Sequence, residues 1–205
     1  TRPQKGRSLP KTLTHREVDR LKEAAATSEN PFANVVITLL LDTGMRVSEL
    51  CALDRSSVDI DDLSATVREG KGGKDRLVLF TESTVEAIEA YGMVRDQIVS
   101  RHVPSDSHRD ALILNRRGRR LTPRAVQKLM DVLADASDIP RSKLSPHTLR
   151  HNFATGLLEG GVDLVSIQRL LGHANISTTR VYLEIGDQSL REIYHRAQQA
   201  RREEE

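Results

Sequence analysis

The 205-residue chain has no tryptophan, only three phenylalanines and three tyrosines, and a single cysteine. Aromatics make up 3% of residues and apolar residues 38%, so a core must be built from Leu, Val, Ile and Ala. The length suits one domain of about 150–200 residues with tails. Cys51 has no internal partner. It lies in the helical apolar pattern Ser48-Glu49-Leu50-Cys51-Ala52-Leu53 and reads as a small buried hydrophobe of a reduced, cytoplasmic protein. The seven histidines form no ligand cluster with carboxylates or thiols, so no metal and no other cofactor is expected. The longest apolar stretch, residues 35–41, is broken by Thr38. It falls far short of the roughly 20 residues that span a bilayer, and no membrane partner is expected. The N-terminus is polar and basic, unlike a signal peptide. Charge of one sign is also scarce, the net value being +2.

What charge there is has been gathered into patches. From Arg109 to Arg150 ten Arg or Lys stand against four Asp, densest at Arg116-Arg117-Gly118-Arg119-Arg120, and the first eleven residues carry Arg2, Lys5, Arg7 and Lys11 without an acid. Such patches suit phosphate contacts, although a solvated surface would read the same way. Candidate phosphate contacts are Arg116, Arg117, Arg119, Arg120 and Arg124, with Lys71 and Arg76 nearer the N-terminus.

The period of the apolar residues predicts a mostly α chain with a small antiparallel β-sheet, an α+β fold. Residues 1–12 read as a basic linker. Thr14 and Glu17 form a capping box for a helix whose apolar face is Val18, Leu21 and Ala25. A second helix, from about Pro31 to Thr43, is apolar nearly all round and should be central. Gly44 ends it, and a third begins near Val47. Over residues 59–80 the period changes: Leu63, Ala65 and Val67 alternate with polar residues, as do Leu77 and Leu79. The glycine-rich Glu69-Gly70-Lys71-Gly72-Gly73-Lys74-Asp75 between them makes a β-hairpin tip. Helices resume at Thr81. Thr122-Pro123 and Ser145-Pro146 are cap-plus-proline starts. Asp163 can cap residues 164–171, with Gly172 as the stop, and Ser177 can cap a short helix carrying Tyr182. Residues 190–205 are helical and charged.

Chemistry-bearing side chains stand out in Ser145-Pro146-His147-Thr148-Leu149-Arg150-His151. A helix starting at Pro146 puts His147 and Arg150 on one face of its first turn, near an N-terminus that favours anions. Arg can grip two phosphate oxygens with its planar fork, and His can add a hydrogen bond or move a proton. A capped helix with an ordinary surface His and Arg would look the same. His173 follows a helix stop and can project into a cleft. Tyr182, in Thr179-Arg180-Val181-Tyr182-Leu183, and Arg46, just after a helix end, are unremarkable one at a time.

Together, Arg46, Lys74, His147, Arg150, His173 and Tyr182 form a specific set. In order and context they resemble the tyrosine recombinase, or phage-integrase, family, which includes Xer-type recombinases and integron and transposon integrases. The resemblance rests on Thr43-Gly44-Met45-Arg46-Val47-Ser48-Glu49-Leu50, on Gly70-Lys71-Gly72-Gly73-Lys74-Asp75-Arg76, on Pro146 to Thr155 (PHTLRHNFAT), on Leu170 to Thr179 (LLGHANISTT), and on Tyr182 at the nucleophile's place. It covers roughly residues 12–190. It implies the catalytic-domain fold of that family over residues 13–189 and a site-specific recombinase that cuts DNA through a 3′-phosphotyrosine. Arg46 and Arg150 would neutralise the non-bridging oxygens in the transition state. Tyr182 would attack in line. A phenol's pKa of about 10 calls for a proton acceptor, and His147 is the candidate acid/base. The resemblance makes Lys74 the general acid for the leaving 5′ oxygen, with Lys71 competing. His173 would hydrogen-bond the phosphate, and Glu49 would orient a catalytic side chain.

Family resemblance also implies that an N-terminal core-binding domain is missing here. Residues 1–12 would then be the end of the linker to it, and residues 190–205 a helical tail that docks on a neighbouring subunit through Leu190, Ile193 and Tyr194. Expected partners are a double-stranded DNA recombination site and, for the whole protein, three further copies in a tetramer on two duplexes. This piece alone is expected to be monomeric and to bind DNA weakly. A cytoplasmic location with the nucleoid follows. Two other classes share much of the pattern: a type IB topoisomerase-like relaxing enzyme and a DNA-binding module without catalysis. The Leu-Gly-His and hairpin phrases fit the recombinases better.

Overall fold

A computed structural model describes residues 12–68, 75–172 and 187–203. Helix α1 (His15–Ala26) starts on the predicted box: Thr14 Oγ1 accepts from the Glu17 N–H, and the Glu17 carboxylate accepts from the Thr14 N–H. Helix α2 (Ala33–Thr43) buries seven of its eleven residues and packs against α1, α3 (Val47–Ala52), α4 (Glu82–Arg101) and α7 (Pro146–Glu159). It is the central helix that its all-round apolar sequence requires, though it begins two residues beyond Pro31. A left-handed Gly44 (φ 59°) closes it.

The sheet has three antiparallel strands in the order β1 (Val58–Asp59), β2 (Ser64–Val67), β3 (Arg76–Leu79). Strands β2 and β3 pair from Ser64↔Leu79 to Val67↔Arg76, as the alternation predicts. The first strand, preceded by a 3-10 turn at Arg55–Ser57, is too short to show a period. Leu63 sits at the β1–β2 turn with φ 48° and packs, partly buried, against the same core that takes the fully buried Ala65 and Val67. Strand β3 is buried on both faces: Val78 joins the main core and Leu79 a second cluster.

A short helix α5 (Asp106–Arg109), then α6 (Pro123–Ala136), α7 and α8 (Leu164–Leu171) follow. Thr122, Ser145 and Asp163 cap the last three through side-chain oxygens, each cap being worth about 1 kcal/mol. Gly172 (φ 70°) stops α8.

Helix α9 (Asp187–Glu203) packs against the body of this chain. Leu190, Tyr194 and Ala197 are buried in this chain's own second cluster with Leu79, Phe153, Leu157, Ile167 and Leu170, and Ile193 packs at its edge. The Tyr194 hydroxyl donates to the Asp42 carbonyl at 2.8 Å. The residues expected to dock on a neighbour are packed within this chain. Among the described residues no helix is long and apolar enough to cross a membrane.

Candidate active site

The site is built where three chain ends meet. Gly44 turns the chain out of α2, and Arg46 then caps α3. A Cβ at Gly44 would come within 2.2 Å of the Phe153 ring, so the turn lies directly on α7. One turn into α3, Glu49 receives the Arg46 N–H at 2.6 Å and Arg46 Nη1 at 3.0 Å on one side, and Arg76 Nη2 at 2.7 Å and Nε at 3.4 Å on the other. The Glu49 and Arg76 side chains are each 9% exposed, that of Arg46 43%. Burial pushes the Glu49 carboxyl up. Hydrogen bonds and charge from Arg76, then from Arg46, more than offset this and leave it below the ordinary carboxylate value.

Arg150 enters from the first turns of α7. It donates to the Gly44 carbonyl and, at 2.7 Å, to the Leu171 carbonyl, while Arg76 Nη1 reaches the Leu170 carbonyl at 2.7 Å. Two guanidinium groups thus serve the last carbonyls of α8, which carry the negative end of that helix. Gly172 completes the contact, since a Cβ there would come within 2.3 Å of Arg76 Cδ. Burial, the charges of Arg46 and Arg76, and the opposing charge of Glu49 set the Arg150 guanidinium down at about 10. It stays cationic at neutral pH. Three guanidinium groups gathered around one carboxylate leave a positive surplus, which is what a phosphodiester requires.

His147 is exposed on the first turn of α7, on the side of Arg150 that the spacing predicts. Its Nε2 lies 3.0 Å from Nε2 of His151, with the rings edge-on at 81°. Burial, then His147 and Arg150, push His151 below the ordinary histidine value. Sequence reasoning passed over His151, although an i,i+4 spacing from His147 was available to find it. The chain's backbone contribution, the Gly44 and Leu171 carbonyls, carried no sequence signal. Lys71, Lys74, His173 and Tyr182 lie outside the described residues.

The candidate phosphate contacts divide. Arg76 is turned inward as above. Arg120 donates to Asp54 at 2.6 Å and to the Cys51 and Leu53 carbonyls at 3.3 Å. Both spend donors inside the protein. Arg116 is exposed but donates to the Glu29 carbonyl at 2.9 Å. Arg117, Arg119 and Arg124 are exposed and remain open to a phosphate. Cys51 is buried, its thiol pushed up to about 11 by burial against the charge of Arg120, so it is an inert core residue.

The chain is similar to known proteins in both sequence and fold. Residues 11–189 match the phage integrase family. The chain is 38% identical over 198 residues to tyrosine recombinase XerC of Corynebacterium glutamicum, covering 95% of this chain and 61% of that one. It is 40% identical over 196 residues to tyrosine recombinase XerD of Caulobacter vibrioides, covering 93% and 63%. The crystal structure of XerA recombinase superposes with a TM-score of 0.73 at 36% identity, covering 92% of this chain and 65% of that one. That of XerH site-specific recombinase bound to difH substrate, a pre-cleavage complex, gives 0.69 at 25% identity, covering 97% and 54%. The chain therefore spans less than two thirds of the length of these relatives. On the family match, the curated relatives and the shared fold, this chain belongs to the phage integrase family, that of the tyrosine recombinases.

Proposed function

We propose that this chain is the catalytic domain of a site-specific recombinase that breaks and rejoins double-stranded DNA through a 3′-phosphotyrosine. One observation carries the reading: Arg46 and Arg150, distant in sequence, are fixed at one corner by Glu49, Gly44 and the end of α8, beside an exposed His147. Gripping the two non-bridging oxygens there would offset the charge that repels a nucleophile and would stabilise the five-coordinate phosphorus of the transition state. The Tyr182 oxygen bonds to phosphorus as the bond to the 5′ oxygen breaks. The phenol proton passes to His147, and Lys74 protonates the leaving 5′ oxygen. His173 holds the phosphate by a hydrogen bond. Attack by another strand's 5′ hydroxyl reverses each transfer, so the energy of the broken bond is kept in the phosphotyrosine.

Glu49 and Arg76 act as the frame of the site, and Arg117, Arg119 and Arg124 as phosphate contacts. The whole protein works beside the chromosome as a tetramer on two duplexes, and this domain alone is a monomer. Because the apolar face of α9 is used within the chain, subunit contact falls to other surfaces or requires α9 to leave its core. Sedimentation showing a tight tetramer of the domain without DNA counts against this.

The test is a nicked duplex carrying the recombination site, incubated with the whole protein and with this domain, each beside Tyr182→Phe. A denaturing gel is expected to show a protein–DNA adduct that vanishes in the Phe variant. Site binding by the whole protein with no adduct would favour a binding module, and supercoil relaxation without strand exchange a topoisomerase-like enzyme.

A further inference from the structure

The two histidines of α7 have a geometry that proton transfer alone does not require. His147 and His151 are four residues apart on one helix face, with Nε2 atoms 3.0 Å apart, ring centroids 4.4 Å apart and rings nearly perpendicular. Two imidazoles at this spacing are a familiar chelating pair on a helix. With metal–nitrogen bonds of about 2.0–2.1 Å, nitrogens this far apart subtend about 95° at a shared ion. That is the angle between neighbouring positions of a square-planar or octahedral ion, and it is tighter than a tetrahedral one.

We propose that His147 and His151 form a bidentate site for a late divalent transition metal, copper(II) or nickel(II), at the mouth of the active site. Each Nε2 lone pair enters one coordination position, and the ring hydrogens sit on the Nδ1 atoms. A small rotation of either ring turns both lone pairs to a common point, which exposed His147 and half-buried His151 allow. Two imidazole nitrogens favour such transition-metal ions over magnesium and calcium, which bind through oxygen. The reaction needs no such ion. Occupancy would instead withdraw His147 Nε2 from proton transfer and block cleavage, a consequence that rests on the role assigned to His147 above, whereas binding itself does not.

Copper(II) is titrated into the domain in a weakly coordinating buffer, followed by calorimetry and by electron paramagnetic resonance. His147→Gln, His151→Gln and, as a distant control, His108→Gln are run alongside. Expected is one site whose spectrum reports two imidazole nitrogens. Its affinity should fall by about tenfold or more in either α7 variant and stay unchanged in the control. Wild-type and both α7 variants binding alike, or a spectrum without paired imidazole nitrogens, overturns the proposal. In the adduct assay with the whole protein, copper should inhibit wild type at concentrations at least about tenfold below those that inhibit His151→Gln. Copper held by both histidines while cleavage continues would uphold the site and count against His147 as the acid/base.

Discussion

Glu49 shows how a single carboxylate can organise two cations of different purpose. Its bonds to Arg46 aim a half-exposed guanidinium outward, and its bonds to Arg76 lock a buried one inward. Since its folded value lies below the ordinary carboxylate value, Glu49 contributes stability that is fully present above an unfolded value of about 4.3 and is lost as pH falls through the folded value. Glu49→Gln should therefore lower stability by about 2 kcal/mol at pH 7 and flatten the fall in melting temperature on acidification below about pH 4.5. Equal acid limbs for the variant and wild type would show that Glu49 is not the group lost. The charge pattern alone did not reveal the internal partners of Arg76 and Arg120. Their partners lie 27 and 66 residues away, and a run of basic residues does not encode which members the fold will turn inward.

Among the elements, ends were easier to read than middles. Thr14, Thr122, Ser145 and Asp163 act locally as caps, and Gly44 and Gly172 as left-handed stops, because a cap is made by residues within three or four positions of one another. The two-residue β1 and the four-residue α5 are too short to carry a period. The inward face of α9 depends on Phe153 and Leu157, more than thirty residues earlier. Glycines with positive φ are not equivalent. Gly44 has both a positive φ and Phe153 within 2.2 Å of a would-be Cβ, whereas Gly161 has φ 81° and open space. Gly161→Ala should cost about 1 kcal/mol from backbone strain alone. Gly44→Ala should cost about 2–5 kcal/mol, because overpacking adds to strain. It should also reduce adduct formation by shifting the carbonyl that Arg150 holds. Denaturant midpoints of the two variants check the order, and similar losses would mean that the Phe153 contact is easily relieved.

Over the whole molecule, a net charge near zero coexists with local surfaces of one sign, and binding to a polyanion follows the local surface. Arg117, Arg119 and Arg124 are exposed on the central basic stretch. Changing all three to Ala should weaken DNA binding across sequences and lower the slope of log K against log salt by about 0.9 for each phosphate contact removed. Arg120→Ala should act instead on stability, through Asp54 and two carbonyls. An unchanged salt slope in the triple variant would move the DNA surface elsewhere.

The same scarcity of aromatics has a practical consequence. With no tryptophan, ultraviolet absorbance near 280–300 nm, a range fixed by the phenol chromophore, belongs to three tyrosines. Tyr91 and Tyr194 are buried, each donates its hydroxyl to a backbone carbonyl, and burial raises both above the ordinary phenol value. In an alkaline spectrophotometric titration these two are expected to ionise above the range of an ordinary phenol. Any phenolate band that grows at lower pH reports on Tyr182, so the proton affinity of the proposed nucleophile can be read in the unlabelled protein, with and without DNA.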